Sequence, residues 1–142
     1  MPIVLFFASY AVLVTYAVSL EALGVDLEAD VPTETYDNVA PVLALAILSL
    51  LAAPFVEEVF FRGFIFGGFK RPLGVGVSIV LSGLIFGGFH LANPDGLLVF
   101  VPISLIGMLF AWGYFYSGSL MAPMIAHFFF NLVSFVAGFW AE

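Results

Sequence analysis

Apolar residues run along this 142-residue chain in five long stretches broken by short polar intervals. The stretches cover about Pro2 to Leu20, Pro41 to Phe69, Gly74 to Ala92, Gly96 to Tyr116 and Ser119 to Trp140. Each is near the roughly 20 residues that a helix needs to cross a hydrocarbon layer. A membrane barrel would instead show segments of about ten residues alternating apolar and polar positions, and that alternation is missing. The pattern predicts an all-α, polytopic transmembrane helical bundle of about five spans, forming a single membrane-embedded domain over residues 1–142.

Composition agrees with a bilayer and excludes several other classes. Hydrophobic residues make up 63% of the chain and charged residues 9%, with a mean hydropathy of +1.19. Eight of the ten acids lie outside the apolar runs or at their ends, which is the segregation that lipid imposes. The net charge of −7 argues against nucleic acid as a partner. With no cysteine, disulfides, thiolate metal sites and a Cys nucleophile are excluded. Pro2 to Leu20 lacks the basic start and small-residue cleavage site of a signal peptide, so it reads as a retained span.

The polar intervals orient the bundle. Glu21, Asp26, Glu28, Asp30, Glu34 and Asp37 form an acidic connector, and Lys70-Arg71-Pro72-Leu73 is predicted as a basic loop. By the excess of cations on cytoplasmic loops, Lys70 and Arg71 face the cytoplasm together with Met1 and Ser117-Gly118. The acidic connector, Asn93-Pro94-Asp95 and the C-terminus then lie outside, as expected of a multi-pass protein of the cell membrane. Trp112, Tyr114 and Tyr116 would form an inner aromatic belt, with Trp140 at the outer face. Two glycine pairs, Gly63 with Gly67 and Gly83 with Gly87, have the spacing that lets membrane helices approach closely.

Glu57, Glu58 and Arg62 break the segregation, because all three fall inside the second apolar run. Charge at that depth is costly and marks a functional site by default. Glu58 and Arg62 are one helical turn apart with the acid first, the favoured order for an ion pair. Glu57 is turned about 100° from Glu58, so it can face a different cavity and partner. Both histidines also lie in spans: His90 closes the third, and His127 in the fifth shares a helical face with Asn131. At 1.5 Å per residue, Glu57 lies about 18 Å, His90 about 24 Å and His127 about 12 Å from the ends of their helices that face the basic loop. One acid, two imidazoles and one carboxamide can therefore converge within a layer about 30 Å thick. A desolvated carboxylate there is a competent base for water, an imidazole can orient that water and pass a proton, and an amide can hydrogen-bond an oxyanion without adding charge.

Glu57-Glu58-x-x-x-Arg62, Phe86-x-x-x-His90 and His127-x-x-x-Asn131, in this order, resemble the three motifs of the CPBP family of intramembrane proteases. That family includes the type II CAAX prenyl endopeptidases and the bacteriocin-processing or immunity proteins. The resemblance covers about Ala53 to Asn131 and implies hydrolysis of a peptide bond, in a peptide or a prenylated protein, at a site open to the cytoplasm. It implies that Glu57 activates water, His90 holds it, His127 and Asn131 bind the oxyanion, and Glu58 and Arg62 support them. Such proteins carry more N-terminal helices, so this chain reads as a compact or truncated version.

Other readings remain open on the residues alone. The same polar cluster can serve a non-catalytic scaffold or immunity-type protein, where it only joins helices, or a proton or ion pathway. A bis-His haem site is a further alternative. No cofactor is favoured. If zinc is bound, Glu57, His90 and His127 are the candidate ligands, drawn from three helices without the HExxH pair.

Overall fold

A computed structural model describes residues 1–25, 39–92 and 96–140, the last three by backbone alone. Five helices account for nearly all of them: α1 (Pro2–Ala22), α2 (Val39–Leu73), α3 (Val75–Ala92), α4 (Gly96–Ser117) and α5 (Met121–Trp140). There is no strand among the described residues. The first four are each long and apolar enough to cross a membrane, and α5 is apolar over Met121–Ala137. The protein is thus an all-helical, multi-pass membrane bundle. Large apolar side chains such as Phe7, Val14, Leu43, Leu51 and Phe64 point outward, while Glu58 and Arg62 are buried. Lipid makes such an inside-out distribution stable, since helices satisfy their own backbone groups there.

The basic segment is not a loop. Lys70 and Arg71 occupy the last turn of α2, and the chain reverses at Gly74 with φ 77°. Cations are favoured at a helix C-terminus, and glycine adopts a positive φ without a Cβ penalty, so the turn falls later than the charges suggested. Glu21 likewise belongs to the last turn of α1. The rest of the acidic connector from Asp26, together with Asn93-Pro94-Asp95, lies outside the described residues.

Close packing is concentrated between α3 and α4. A Cβ on Gly83 would stand 2.7 Å from the Ser104 carbonyl oxygen, and one on Gly87 2.9 Å from that of Phe100. Gly107 of α4 answers them, with the Cα of Gly83 3.0 Å from where its Cβ would be. Gly63 and Gly67 behave differently. Both are exposed, and a Cβ at Gly63 would only reach Leu120 Cδ1 at 4.0 Å, so this pair does not bring α2 against a neighbouring helix. Elsewhere Leu5 of α1 fills the space left by Gly113 and packs with Ile106, Phe110, Ala126 and Phe130. Tyr10 Oη anchors α1 further by donating to the Phe130 carbonyl at 3.0 Å.

The aromatic belt is narrower than expected. Trp112 and Tyr116 are exposed and stacked with ring centroids 5.6 Å apart, but Tyr114 turns inward against Phe66 at 5.9 Å. The Trp140 side chain lies outside the described residues.

One irregularity sets up the site. Within α2 the backbone widens into π-helical turns at Leu48–Ala52 and Val59–Phe66, on either side of the segment that carries Glu57 and Glu58. Pro54 sits between them, and a proline inside a helix loses its N–H and crowds the carbonyl four residues back. Widening the preceding turn relieves that conflict.

Candidate active site

Arg62 is the centre of the buried polar group. Its Nη1 lies 2.9 Å from Glu58 Oε1, its Nη2 donates to the Gly107 carbonyl at 3.2 Å, and neither charged side chain touches solvent. Aromatic faces replace water around the guanidinium, with its Cζ 4.5 Å from the Phe86 ring centroid and 5.4 Å from that of Phe110. Cation–π contacts of this kind are strongest when desolvated. The second wide turn of α2 is tied to α3 by Ser82 Oγ, which donates to the Phe61 carbonyl at 3.1 Å.

His127 of α5 joins the two acids. Its Nδ1 is 3.0 Å from Glu58 Oε1 and its Nε2 is 3.9 Å from Glu57 Oε2. A carboxylate facing Arg62 can only accept, so the hydrogen bond assigns a proton to Nδ1 and turns the Nε2 edge toward Glu57. The 100° between the acids therefore does not send them to separate partners, because they face the two nitrogens of one ring. Their surroundings still differ: Glu58 is fully enclosed, whereas the Glu57 side chain is 26% exposed. Glu57 Oε2 is itself enclosed and makes no hydrogen bond among the described residues, so it is a buried acceptor without a donor, and the exposed part of the side chain lies elsewhere. At 3.9 Å, Glu57 Oε2 and His127 Nε2 are too far apart for a direct hydrogen bond, and Oε2 is enclosed, so a water between them requires the two side chains to part.

The remaining predicted residues stand apart from this group. His90 begins the 3-10 turn that closes α3, and its Nδ1 bonds the carbonyl of Phe86 in its own helix at 2.8 Å. The Phe86 ring touches both imidazoles, with centroids 4.8 Å from His90 and 5.9 Å from His127. Asn131 Nδ2 donates to the Ser49 carbonyl of α2 at 2.8 Å. Neither His90 nor Asn131 hydrogen-bonds to Glu57, Glu58 or His127, so the structure gathers Glu57, Glu58, Arg62 and His127 and leaves the other two at its margins.

The zinc trio does not fit this arrangement. Nδ1 of His90 is engaged by the Phe86 carbonyl and Nδ1 of His127 by Glu58, and no three His, Asp or Glu side chains group as metal ligands among the described residues. An apolar groove of about 290 Å³ opens between α2 and α5, lined by Leu50, Pro54, Phe55, Met124 and Phe128 among others, with none of the polar site residues in its lining.

Ser49, Ser82, Gly107 and Phe110 were not singled out from the sequence. The two serines left a signal, since a hydroxyl within an apolar span needs a partner or offers one. Gly107 and Phe110 left none among 14 glycines and 18 phenylalanines.

Fold and site together define a multi-pass helical membrane protein with a buried carboxylate–imidazole–guanidinium cluster. The family of type II CAAX prenyl endopeptidase Rce1-like proteins matches residues 39–133, and the chain belongs to that family. The match takes in α2, α3, α4 and most of α5, including every residue of the site. Among curated proteins, the chain is 25% identical over 126 residues to "Putative membrane peptidase YdiL" of Bacillus subtilis, covering 89% of this chain and 50% of that protein. It is 33% identical over 91 residues to an "Uncharacterized protein" of Mycoplasma capricolum subsp. capricolum, covering 63% of this chain and 26% of that one. The chain thus spans half the length or less of these relatives. No solved structure matches it.

Proposed function

We propose that this protein is an intramembrane endopeptidase in which Glu57 activates water, acting in the cell membrane on peptides or prenylated proteins that reach the site from the cytoplasmic side. The observation that carries the reading is the placement of His127, backed by Glu58 through Nδ1 and facing Glu57 through Nε2. Family membership and the similarity to a named membrane peptidase support the reaction class. The apolar groove between α2 and α5 offers a place for the hydrophobic part of such a substrate.

Water at the exposed edge of the Glu57 carboxylate, on the side of His127 Nε2, gives a proton to Glu57 as its oxygen attacks the peptide carbonyl. Nε2–H then faces the developing oxyanion, while Glu58 holds the ring in place through Nδ1. Collapse of the tetrahedral adduct breaks the C–N bond, and the proton taken from water passes to the departing amine. By the family resemblance, His90 would hold the water and Asn131 would share the oxyanion. Here both are bonded to helix carbonyls, so the reading rests on Glu57 and His127, and it needs no resident metal.

The test is cleavage of a prenylated C-terminal peptide by the purified protein in lipid. Glu57→Gln should abolish turnover and leave folding intact. Equal turnover by the variant would remove Glu57 as the base, and no turnover by the native protein would leave the alternative of a non-catalytic scaffold or immunity-type protein, in which the cluster only joins α2 to α5.

A further inference from the structure

Asn131 lies four residues after His127, yet its amide reaches a different part of α2. The carbonyl it meets has lost its usual partners. In a regular helix the Ser49 carbonyl would accept from the N–H of Ala53, four residues on. Here Ala53 N–H donates to the Leu48 carbonyl, one position further back, as a π-helical turn requires. Continued by one residue, the same pattern would assign Ser49 to position 54. That residue is Pro54, which has no N–H. The turn and the proline together strand a carbonyl inside an apolar span, and Asn131 Nδ2 satisfies it at 2.8 Å.

The consequence reaches Glu57. A wide turn takes up about one extra residue, so its presence rotates everything downstream by about 100° relative to an unbroken α-helix. Pro54 and the turn lie just before the two acids, which must both present to one imidazole. Collapse of the turn would swing Glu57 away from His127 Nε2. The Asn131 bond crosses from α5 to this turn, and α5 also carries His127, so one helix both fixes the register of α2 and supplies the ring that uses it.

We infer that Asn131 is a positioning residue: by satisfying the Ser49 carbonyl that Pro54 strands, it stabilises the wide turn of α2 that sets Glu57 against His127. The geometric part stands whatever the protein does, and the consequence for turnover rests on the endopeptidase reading. A double-mutant cycle on the full chain tests both, using Asn131→Ala, Pro54→Ala and the pair. Pro54→Ala restores an N–H at the position that can reach the Ser49 carbonyl, so it should make Asn131 dispensable.

On the native background Asn131→Ala should lower the thermal unfolding midpoint and reduce kcat by about tenfold or more with KM little changed. On the Pro54→Ala background the same substitution should move the midpoint by less than half as much, with a kcat loss below about threefold. Equal midpoint shifts on both backgrounds would overturn the inference. A kcat loss that persists undiminished in the pair would overturn the positioning role and assign the amide directly to the oxyanion. If Pro54→Ala does not fold alone, Asn131→Asp on the native background, which turns an acceptor toward the Ser49 carbonyl, should lower the midpoint at least as much as Asn131→Ala, and an unchanged midpoint would overturn the inference. The midpoints are readable even if no turnover is found, so failure of the endopeptidase reading would be seen separately.

Discussion

Arg62 Nη1 stands 2.9 Å from Glu58 Oε1 with both side chains fully enclosed, and the same carboxylate oxygen takes the hydrogen bond of His127. One oxygen thereby links α2 to α5, while the guanidinium reaches α4 through Gly107. Removing the charge of Glu58 would leave Arg62 buried without its counter-ion. Glu58→Gln should therefore destabilise the fold by about 3–5 kcal/mol. Glu57→Gln, at a partly exposed position with no hydrogen bond to lose from Oε2, should change stability by about 0.5 kcal/mol or less. Unfolding of the two variants in the same detergent measures the contrast, and similar losses would remove the division of labour between adjacent acids.

The glycine pairs give a second contrast that sequence spacing alone does not. A methyl group on Gly83 would press on the backbone of α4, with Met108 N at 2.8 Å and the Ser104 carbonyl at 2.7 Å. Gly83→Ala should cost about 1–3 kcal/mol through overpacking. Gly63→Ala meets only Leu120 Cδ1 at 4.0 Å, and better helix propensity should leave it neutral or slightly stabilised. Unfolding midpoints of both variants decide the point.

The number and class of helices were legible because lipid enforces a simple rule: about 20 apolar residues for each crossing. The Glu58–Arg62 contact was legible too, since two residues one turn apart must meet if the helix continues. Of the four expected residues, Glu57 and His127 face each other, while His90 and Asn131 bond helix carbonyls. Helical spacing puts His127 and Asn131 on one face, but where that face meets α2 depends on wide turns that a uniform 1.5 Å rise does not contain. His90 was placed by depth alone, and depth carries no information about the Phe86 carbonyl and ring that its imidazole meets. The basic turn was displaced for a similar reason, as composition marks the charged residues while Gly74 marks where the chain can reverse.

Orientation rests on Lys70 and Arg71, both in the last turn of α2. The chain has no cysteine, so single substitutions report topology without background. Leu23→Cys and Ser119→Cys place a thiol at exposed positions after α1 and before α5. With Lys70 in the cytoplasm, a membrane-impermeant maleimide added to intact cells should label Leu23→Cys and spare Ser119→Cys. The opposite pattern would invert the bundle and move the proposed substrate entry to the other side.

His127 separates folding from chemistry, because its two nitrogens do different things. The side-chain amide nitrogen of an asparagine can occupy nearly the place of Nδ1 while leaving nothing at Nε2. His127→Asn should thus keep the donor to Glu58 and lose about 1 kcal/mol of stability or less. With nothing facing Glu57, turnover should fall by about 100-fold or more, the usual contribution of a positioned acid or base. His127→Gln does the reverse, extending a polar tip toward the Nε2 position while giving up the Nδ1 donor, so it should be the less stable of the two. A His127→Asn protein that folds normally and still cleaves would show that the ring serves only to join α5 to α2, and the oxyanion would then need another donor.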